Sequence, residues 1–373
     1  MIFSPVVGKS LIISIICAGN IGKYIYTEKE ELHRLGFDLH QELATDLGAE
    51  KIDYRRLICT SASIYDGKGG TPGKHSSKKL STLEWVDNVS TVSDDDDDVG
   101  DDTEVLYSTS MGDESDMAQV HPKKLCEEMW EYSSSVGGME LQIGKVIGVS
   151  LSESSNPQRV TSVTLEDGTS VEADILVVAA GPWTEEMRNW FDTAEGNASV
   201  SALPQIIGTK SHSMLIRTED GRVLTEAVFF ESNDPFINDI EVYPRPDGDI
   251  YVTGSSQSYT VMTERPGAEA VDPKRVKELT ESMRKTSPKV LGGLEPHTTQ
   301  ACYWPDTSDG NPVIDQLPGL EGVYVATGHS VWGILQGPAT GAVMAKLLVD
   351  GEQKIIDLDP FRMSKVKVGN SEF

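Results

Sequence analysis

The sequence predicts an α/β (α+β) chain in which a Rossmann-like nucleotide-binding layer is joined to an antiparallel sheet, and three observations predict it. Residues 323–348, VYVATGHSVWGILQGPATGAVMAKLL, read as a strand, a glycine turn and a buried helix in succession. Residues 174–180 form a largely apolar β run closed by Gly181 and Pro182, and small residues at a strand's end let a ligand approach the backbone. Residues 204–287 alternate strand-like segments with polar turns, the pattern of an antiparallel sheet.

From the start of the chain, the apolar run Leu11–Ala18 is far shorter than the ~20 residues a membrane span needs, so no span is expected. Lys9 precedes it, as in a signal peptide, but no clear small-x-small cleavage site follows. Between Glu28 and Gly48, Leu32, Leu35, Leu39, Leu43 and Leu47 recur at helical spacing, which predicts a core-facing amphipathic helix rather than a binding feature. Residues 52–64 read as extended chain. Residues 66–117 are rich in Gly, Ser, Asp and Lys and include the run Asp94–Asp98, so they predict a mobile surface insertion, interrupted by an ordered piece at Trp85. A solvated loop is the plain account of that run; a docking site for a basic partner or a divalent cation is the sharper one.

After the insertion, Gln119–His121 is extended and Pro122 opens a helix over residues 123–136. Three short antiparallel strands follow at 140–150, 159–165 and 170–173, the last two joined by a turn at Asp167-Gly168. Residues 272–285 have a helical pattern. In the final segment Gly328 and Gly333 let the chain bend, and Pro338 is placed in the first turn of the last helix. Free amides at such a helix start favour a phosphate or the electron-rich edge of a reduced flavin.

A formal charge of −27, from 32 basic and 59 acidic residues, argues against nucleic acid as a partner. Between Leu80 and Pro122 there are 13 acidic residues and no Lys or Arg, so much of the excess is local. The hydrophobic fraction of 38% is low for a globular chain, and the polar insertion accounts for the deficit. Cys17, Cys59, Cys126 and Cys302 lack metal-ligand spacing, which predicts no metal site and a reducing, cytoplasmic setting. No Ser-His-Asp arrangement, HExxH or GxxxxGK[ST] supports a hydrolase or kinase.

Five segments together resemble the D-amino-acid-oxidase-like (DAO) family of FAD-dependent oxidoreductases, in the family's order and across most of the chain after residue 36. They are HQELATDLG with DYRRL (40–57), QVHP (119–122), ADILVVAAGPWT (173–184), EVYPRPDGDIYVTG (241–254), and QACYWPDTSDGNPVI (300–314) running on to GHSVWGILQGPATG. The resemblance extends to a eukaryotic subfamily of oxidoreductases whose substrates are poorly defined. The resemblance implies FAD as cofactor and oxidation of a C–N or C–O bond of a small molecule by hydride transfer. It divides the chain into a discontinuous FAD-binding domain (1–64, 118–203 and 294–373), the acidic insertion (65–117) and a substrate sheet (204–293).

On this resemblance the cofactor-binding residues are Val146, whose backbone faces the adenine, Ala180, Gly181, Pro182 and Trp183 at the buried run, and Gly328, His329, Gly333, Ile334 and Gly337 at the C-terminal turn. His329 and Tyr303 are the candidate catalytic residues. Tyr243, Arg245 and Trp304 are the candidate substrate-binding residues, Arg245 because a guanidinium takes a carboxylate bidentately. Structural accounts stand beside each: a lone histidine is more often structural, an arginine in a β-turn is often on the surface, and aromatic residues pack cores.

Three departures from the family matter. No GxGxxG precedes the Glu28 helix, since CAGNIG (17–22) lacks the paired glycines; the first βα unit and its ribose-binding acid are expected to be missing, and FAD binding to be weak or absent. Trp304 stands where amino-acid-oxidizing relatives carry arginine. Asp315 stands where the family has glycine, and burying it unpaired is costly. Two alternatives to an enzyme follow, a non-catalytic interaction protein with the same fold and a truncated product unable to hold FAD.

Overall fold

The structure is a computed structural model, and it describes residues 14–17, 29–65, 105–137, 139–153, 155–232, 240–257, 262–287 and 290–365. The Asp94–Asp98 run, Trp85 and most of CAGNIG lie outside the described residues. The helical periodicity of residues 28–48 is realised as α1, Glu30–Leu47. Its buried face is not the leucine stripe alone: Leu32, His33, Gly36, Phe37, His40, Ala44 and Leu47 point inward, while Leu35, Leu39 and Leu43 are only partly buried.

The largest sheet has seven strands in the order β14-β10-β13-β12-β11-β3-β4. Its members are β3 (Ile58–Tyr65), β4 (Val105–Gly112), β10 (Ile207–Arg217), β11 (Glu226–Ser232), β12 (Ile240–Pro244), β13 (Asp249–Gln257) and β14 (Thr298–Asp306). Strict alternation sets its two faces. Met214, Ile216, Val228, Val242, Ile250 and Val252 pack against Leu279 and Met283 of α4 (Pro273–Thr286), a helix whose N-cap Asp272 accepts from the Lys274 amide. The neighbours in sequence, Leu215, Ala227, Tyr243 and Tyr251, turn to the other face, over Leu57, Cys59 and Met117.

This sheet extends beyond residues 204–293. β3 and β14, assigned by resemblance to the FAD-binding domain, and β4, assigned to the insertion, all belong to it. The reason is pairing: β3 runs parallel to β11 over seven residues and β14 antiparallel to β10 over nine, and sequence separation does not limit such ladders.

A second sheet, β15-β17-β9, carries the buried run. β9 (Leu176–Val178) and β17 (Val323–Thr327) are parallel neighbours, and β15 (Val313–Gln316) adds antiparallel to β17. The meander β6 (Val146–Leu151), β7 (Gln158–Leu165) and β8 (Ser170–Glu172) turns at Gly168 and delivers the chain into β9, with β16 (Leu320–Glu321) beside β7. Beyond β17 runs α5, Gly333–Asp350, packed along α1.

The third sheet is β1-β5-β2, from β1 (Ser14–Cys17), β5 (Met117–Val120) and β2 (Arg55–Arg56). β1 is antiparallel to β5 and does not join β17. Among the described residues, then, no βα unit lies beside the parallel pair. α2, Pro122–Val136, follows β5, with the His121 side chain as its N-cap.

Candidate cofactor site at the C-terminal turn

β9 and β17 end side by side because they are parallel and in register, Val178 opposite Val325. Thr327 Oγ1 donates to the Gly181 carbonyl at 2.9 Å and accepts from Thr184 Oγ1 at 3.2 Å, so the two turns are tied. Crevices at the carboxyl ends of parallel strands are where open α/β sheets bind ligands. Gly328 has φ +77°, and a Cβ there would stand 2.6 Å from Thr307 Cγ2, so both conformation and space require glycine. Ser330 next to it has φ +51°, a strained position for a residue with a side chain.

α5 begins at Gly333 without a side-chain cap. Pro338 is its sixth residue, not in the first turn, so it withholds the amide that the Ile334 carbonyl would accept. His40 Nε2 meets that carbonyl at 2.8 Å. The fully buried imidazole is thereby fixed as an Nε2 donor and is held neutral by burial, which pushes its pKa down. One turn away, Gln336 bonds His33 Nε2 at 2.9 Å, and His33 leans on Trp332 with ring centres 5.0 Å apart. His329 Nε2 sits 3.0 Å from Thr340 Oγ1. Burial first, and the cation of Lys29 second, lower the pKa of both His33 and His329 to about 4, so both are neutral near pH 7.

Alongside β9 is a cavity of about 280 Å³ lined by Ile143, Lys145, Val146, Val178, Ala180 and Trp183 among others. Its size is just below the ~300–1,000 Å³ range of sites that enclose a drug-sized ligand, and suits one flat ring system. Trp183 is held by its Nε1, which donates to the Thr263 carbonyl at 2.8 Å, and by an edge-to-face contact with Tyr303 at 6.0 Å.

The expected cofactor residues thus fall in two linked places: Val146, Ala180 and Trp183 at the cavity, and Gly181, Gly328, His329, Gly333, Ile334 and Gly337 around the tied turns. Pro182 lies between them, buried in the first turn of the 3-10 helix Gly181–Asn189. Tyr303 joins the cavity side through Trp183. Trp304 points to the opposite face of β14 and donates Nε1 to Asp306 Oδ2 at 2.8 Å. Tyr243 and Arg245 stand apart: both are buried on the large sheet, Tyr243 among Phe229 and Tyr251, and β5 lies between them and the α5 turn. Asp315 is not left unpaired; Arg362 Nη1 reaches its Oδ1 at 2.6 Å and the Met363 amide its Oδ2 at 3.0 Å. Sequence reasoning missed His33, His40, Gln336 and Lys29. Two histidines seven residues apart on one helix face were the available signal, obscured by the leucine periodicity.

Comparisons with known proteins agree with this architecture. The family described as DAO, FAD dependent oxidoreductase, matches residues 15–347. The chain is 28% identical over 291 residues to TDA3 of Saccharomyces cerevisiae, covering 68% of this chain and 52% of that protein, so it spans about half of TDA3's length. Protein C1F5.03c of Schizosaccharomyces pombe is 27% identical over 353 residues, 88% of this chain and 80% of that one. Among solved structures, glycine oxidase from Geobacillus kaustophilus superposes with a TM-score of 0.67 at 18% identity, covering 94% of this chain and 86% of that one, which shows a shared fold. With the family match running from β1 into the last turn of α5, the chain belongs to the DAO family of FAD-dependent oxidoreductases.

Proposed function

We propose that this chain holds FAD between the Val146 cavity and the α5 turn and oxidizes a C–N or C–O bond of a small molecule. The Thr327–Gly181 hydrogen bond carries the reading, because it joins the two glycine turns into one crevice at the ends of β9 and β17. The residues present fit such a group. A Cβ on Gly181 or Gly337 would meet nothing within 4 Å, and Gly333 would meet only His329 Cβ at 3.7 Å, so space lies open along the turn. The apolar walls of the cavity suit the adenine, with Val146 offering backbone groups and Trp183 a ring face.

Bound FAD would supply a two-electron acceptor, taking hydride from the substrate carbon. The chain's part is to bind, orient and keep water out. The uncapped amides of α5 offer partial positive charge to an electron-rich ring edge. His329, neutral and tied to Thr340, serves as a fixed hydrogen-bonding group and not as a resident cation. Trp304, bonded to Asp306, cannot anchor a free carboxylate, which favours a substrate other than a simple α-amino acid.

The test is spectroscopic and chemical. Purified chain titrated with FAD is expected to take up flavin only at high FAD, since no GxGxxG unit adds its pyrophosphate contacts, with flavin absorbance and quenched fluorescence, and then to form peroxide with a member of an amine and hydroxy-acid panel in a cytoplasmic-type reducing buffer. A chain that stays colourless and inert at high FAD supports the second reading, a non-catalytic protein of the same fold with its acidic run, outside the described residues, as a segment for a basic partner. One observation favours that reading: beside β17 stands β15, antiparallel, where no glycine-turn βα unit occurs among the described residues.

A further inference from the structure

The QVHP segment, unused by the α5 turn, ends against a second group of buried polar side chains. Ala118 and Val120 of β5 pack with Phe37 and Leu335 toward α5, whereas Met117 and Gln119 face the large sheet. On that sheet side Arg55 Nε donates to Gln119 Oε1 at 3.0 Å, and Arg55 also reaches the Pro244 carbonyl. The next residue, Arg245, is 3% exposed, with its guanidinium 5.9 Å from the centre of the Tyr251 ring.

Three donors here find no partner among the described residues: Arg245 Nε, Arg245 Nη2 and Gln119 Nε2. Buried donors are rarely left unmet, because desolvation is not recovered. The two arginine nitrogens share one edge of the guanidinium, the edge that meets both oxygens of a carboxylate in parallel. Asp247, Asp249 and Asp53 favour the Arg245 cation by their charge, but none hydrogen-bonds its Nε or Nη2. Asp53 Oδ2 takes Lys124 Nζ at 2.6 Å, Asp249 Oδ1 pairs with Arg217 Nη2 at 2.7 Å, and Asp247 Oδ1 accepts the Asp249 amide at 3.0 Å. His121, the N-cap of α2, is held neutral by burial first and by Arg245 second, so it brings neither a charge nor a hydrogen bond to that edge.

We infer that Arg245 and Gln119 form a carboxylate-binding site for a short organic acid, which takes the Nε–Nη2 edge of Arg245 with both oxygens and Gln119 Nε2 as a third donor. β5 separates this site from the α5 turn, so it is not the reacting centre, and the inference stands whether or not the chain is an oxidase. The depth of Arg245 restricts the ligand to a small one, and acetate is the probe.

Thermal denaturation of the full chain in rising sodium acetate, against sodium chloride at matched ionic strength, reads the site. The expected result is a melting temperature that climbs to a plateau in acetate and stays flat in chloride, because ligand bound to the native state alone stabilises it. Arg245→Lys, which keeps charge but loses the paired edge, is expected to lose the acetate response. Gln119→Glu supplies a carboxylate from within, and is expected to melt above the wild type without acetate and to ignore it; this variant decides the matter should Arg245→Lys fail to fold. Equal responses to acetate and chloride, an undiminished acetate response in Arg245→Lys, or a Gln119→Glu chain that melts lower and still responds to acetate overturns the proposal. So does a crystal grown in acetate with only water at the guanidinium.

Discussion

His40 and Pro338 should be energetically coupled, although 294 residues separate His40 from its partner carbonyl. Pro338 has no amide for Ile334 O, and His40 Nε2 supplies the missing donor from the buried face of α1. His40→Ala leaves that part-buried carbonyl without its donor, which costs ~1–2 kcal/mol, and leaves a cavity whose cost adds to it. Pro338→Ala restores the helix's own amide, so in that background the carbonyl no longer depends on the imidazole. The cavity cost is common to both backgrounds and cancels in a double-mutant cycle. His40→Ala is therefore expected to cost about 1–2 kcal/mol less when alanine occupies position 338. The assay is equilibrium denaturant unfolding of the four proteins at pH 7.5, where His40 is neutral, compared at equal slope. Coupling within ~0.3 kcal/mol of zero would refute the argument, because distant, independent sites add to within that margin.

Gly36→Ala places a Cβ 2.1 Å from the Leu335 carbonyl oxygen and should lower stability by ~1–3 kcal/mol in a melting experiment; Gly137→Ala, with open space around it, is the control and should melt like the wild type. Arg362→Ala leaves Asp315 with its amide donors but no counter-ion, and is expected to cost ~1–3 kcal/mol; Arg362→Lys should recover part of that in the same unfolding assay. Acid should destabilise the fold before most carboxylates titrate. His33 and His121 have folded pKa values depressed to about 4 from 6.5, so their contribution is complete above pH 6.5 and is lost as pH falls from there toward 4. By pH 4 each accounts for up to about 3 kcal/mol, and His33→Gln or His121→Asn should flatten the stability profile across that window. A profile unchanged in both variants would contradict the assignment of those two imidazoles.

Sequence legibility followed range. The Asp167-Gly168 hairpin, the helix over residues 272–285 and the strand–turn–helix at residues 323–348 were readable because each depends on neighbours a few positions away. The glycine at 328 could be recognised as needing freedom; that its Cβ would strike Thr307 could not. The full extent of the large sheet was not legible, since β3, β4 and β14 carry no local mark of which ladder they join. The helix at residues 30–47 was legible as amphipathic, yet its buried polar residues were hidden by a leucine repeat that predicts the same face.

By itself the sequence determined the nature of its segments and, through the order of five motifs, the family: backbone conformation and hydrophobic period are local properties that every arrangement of the chain must respect. Only the tertiary structure decided the pairings. Whether Asp315 was a liability depended on Arg362, whether Pro338 broke a helix depended on His40, and whether Arg245 faced the α5 turn depended on the strand between them. Those outcomes turn on which groups share a buried space, and the energy of meeting or stranding a polar atom there is a property of the packed whole.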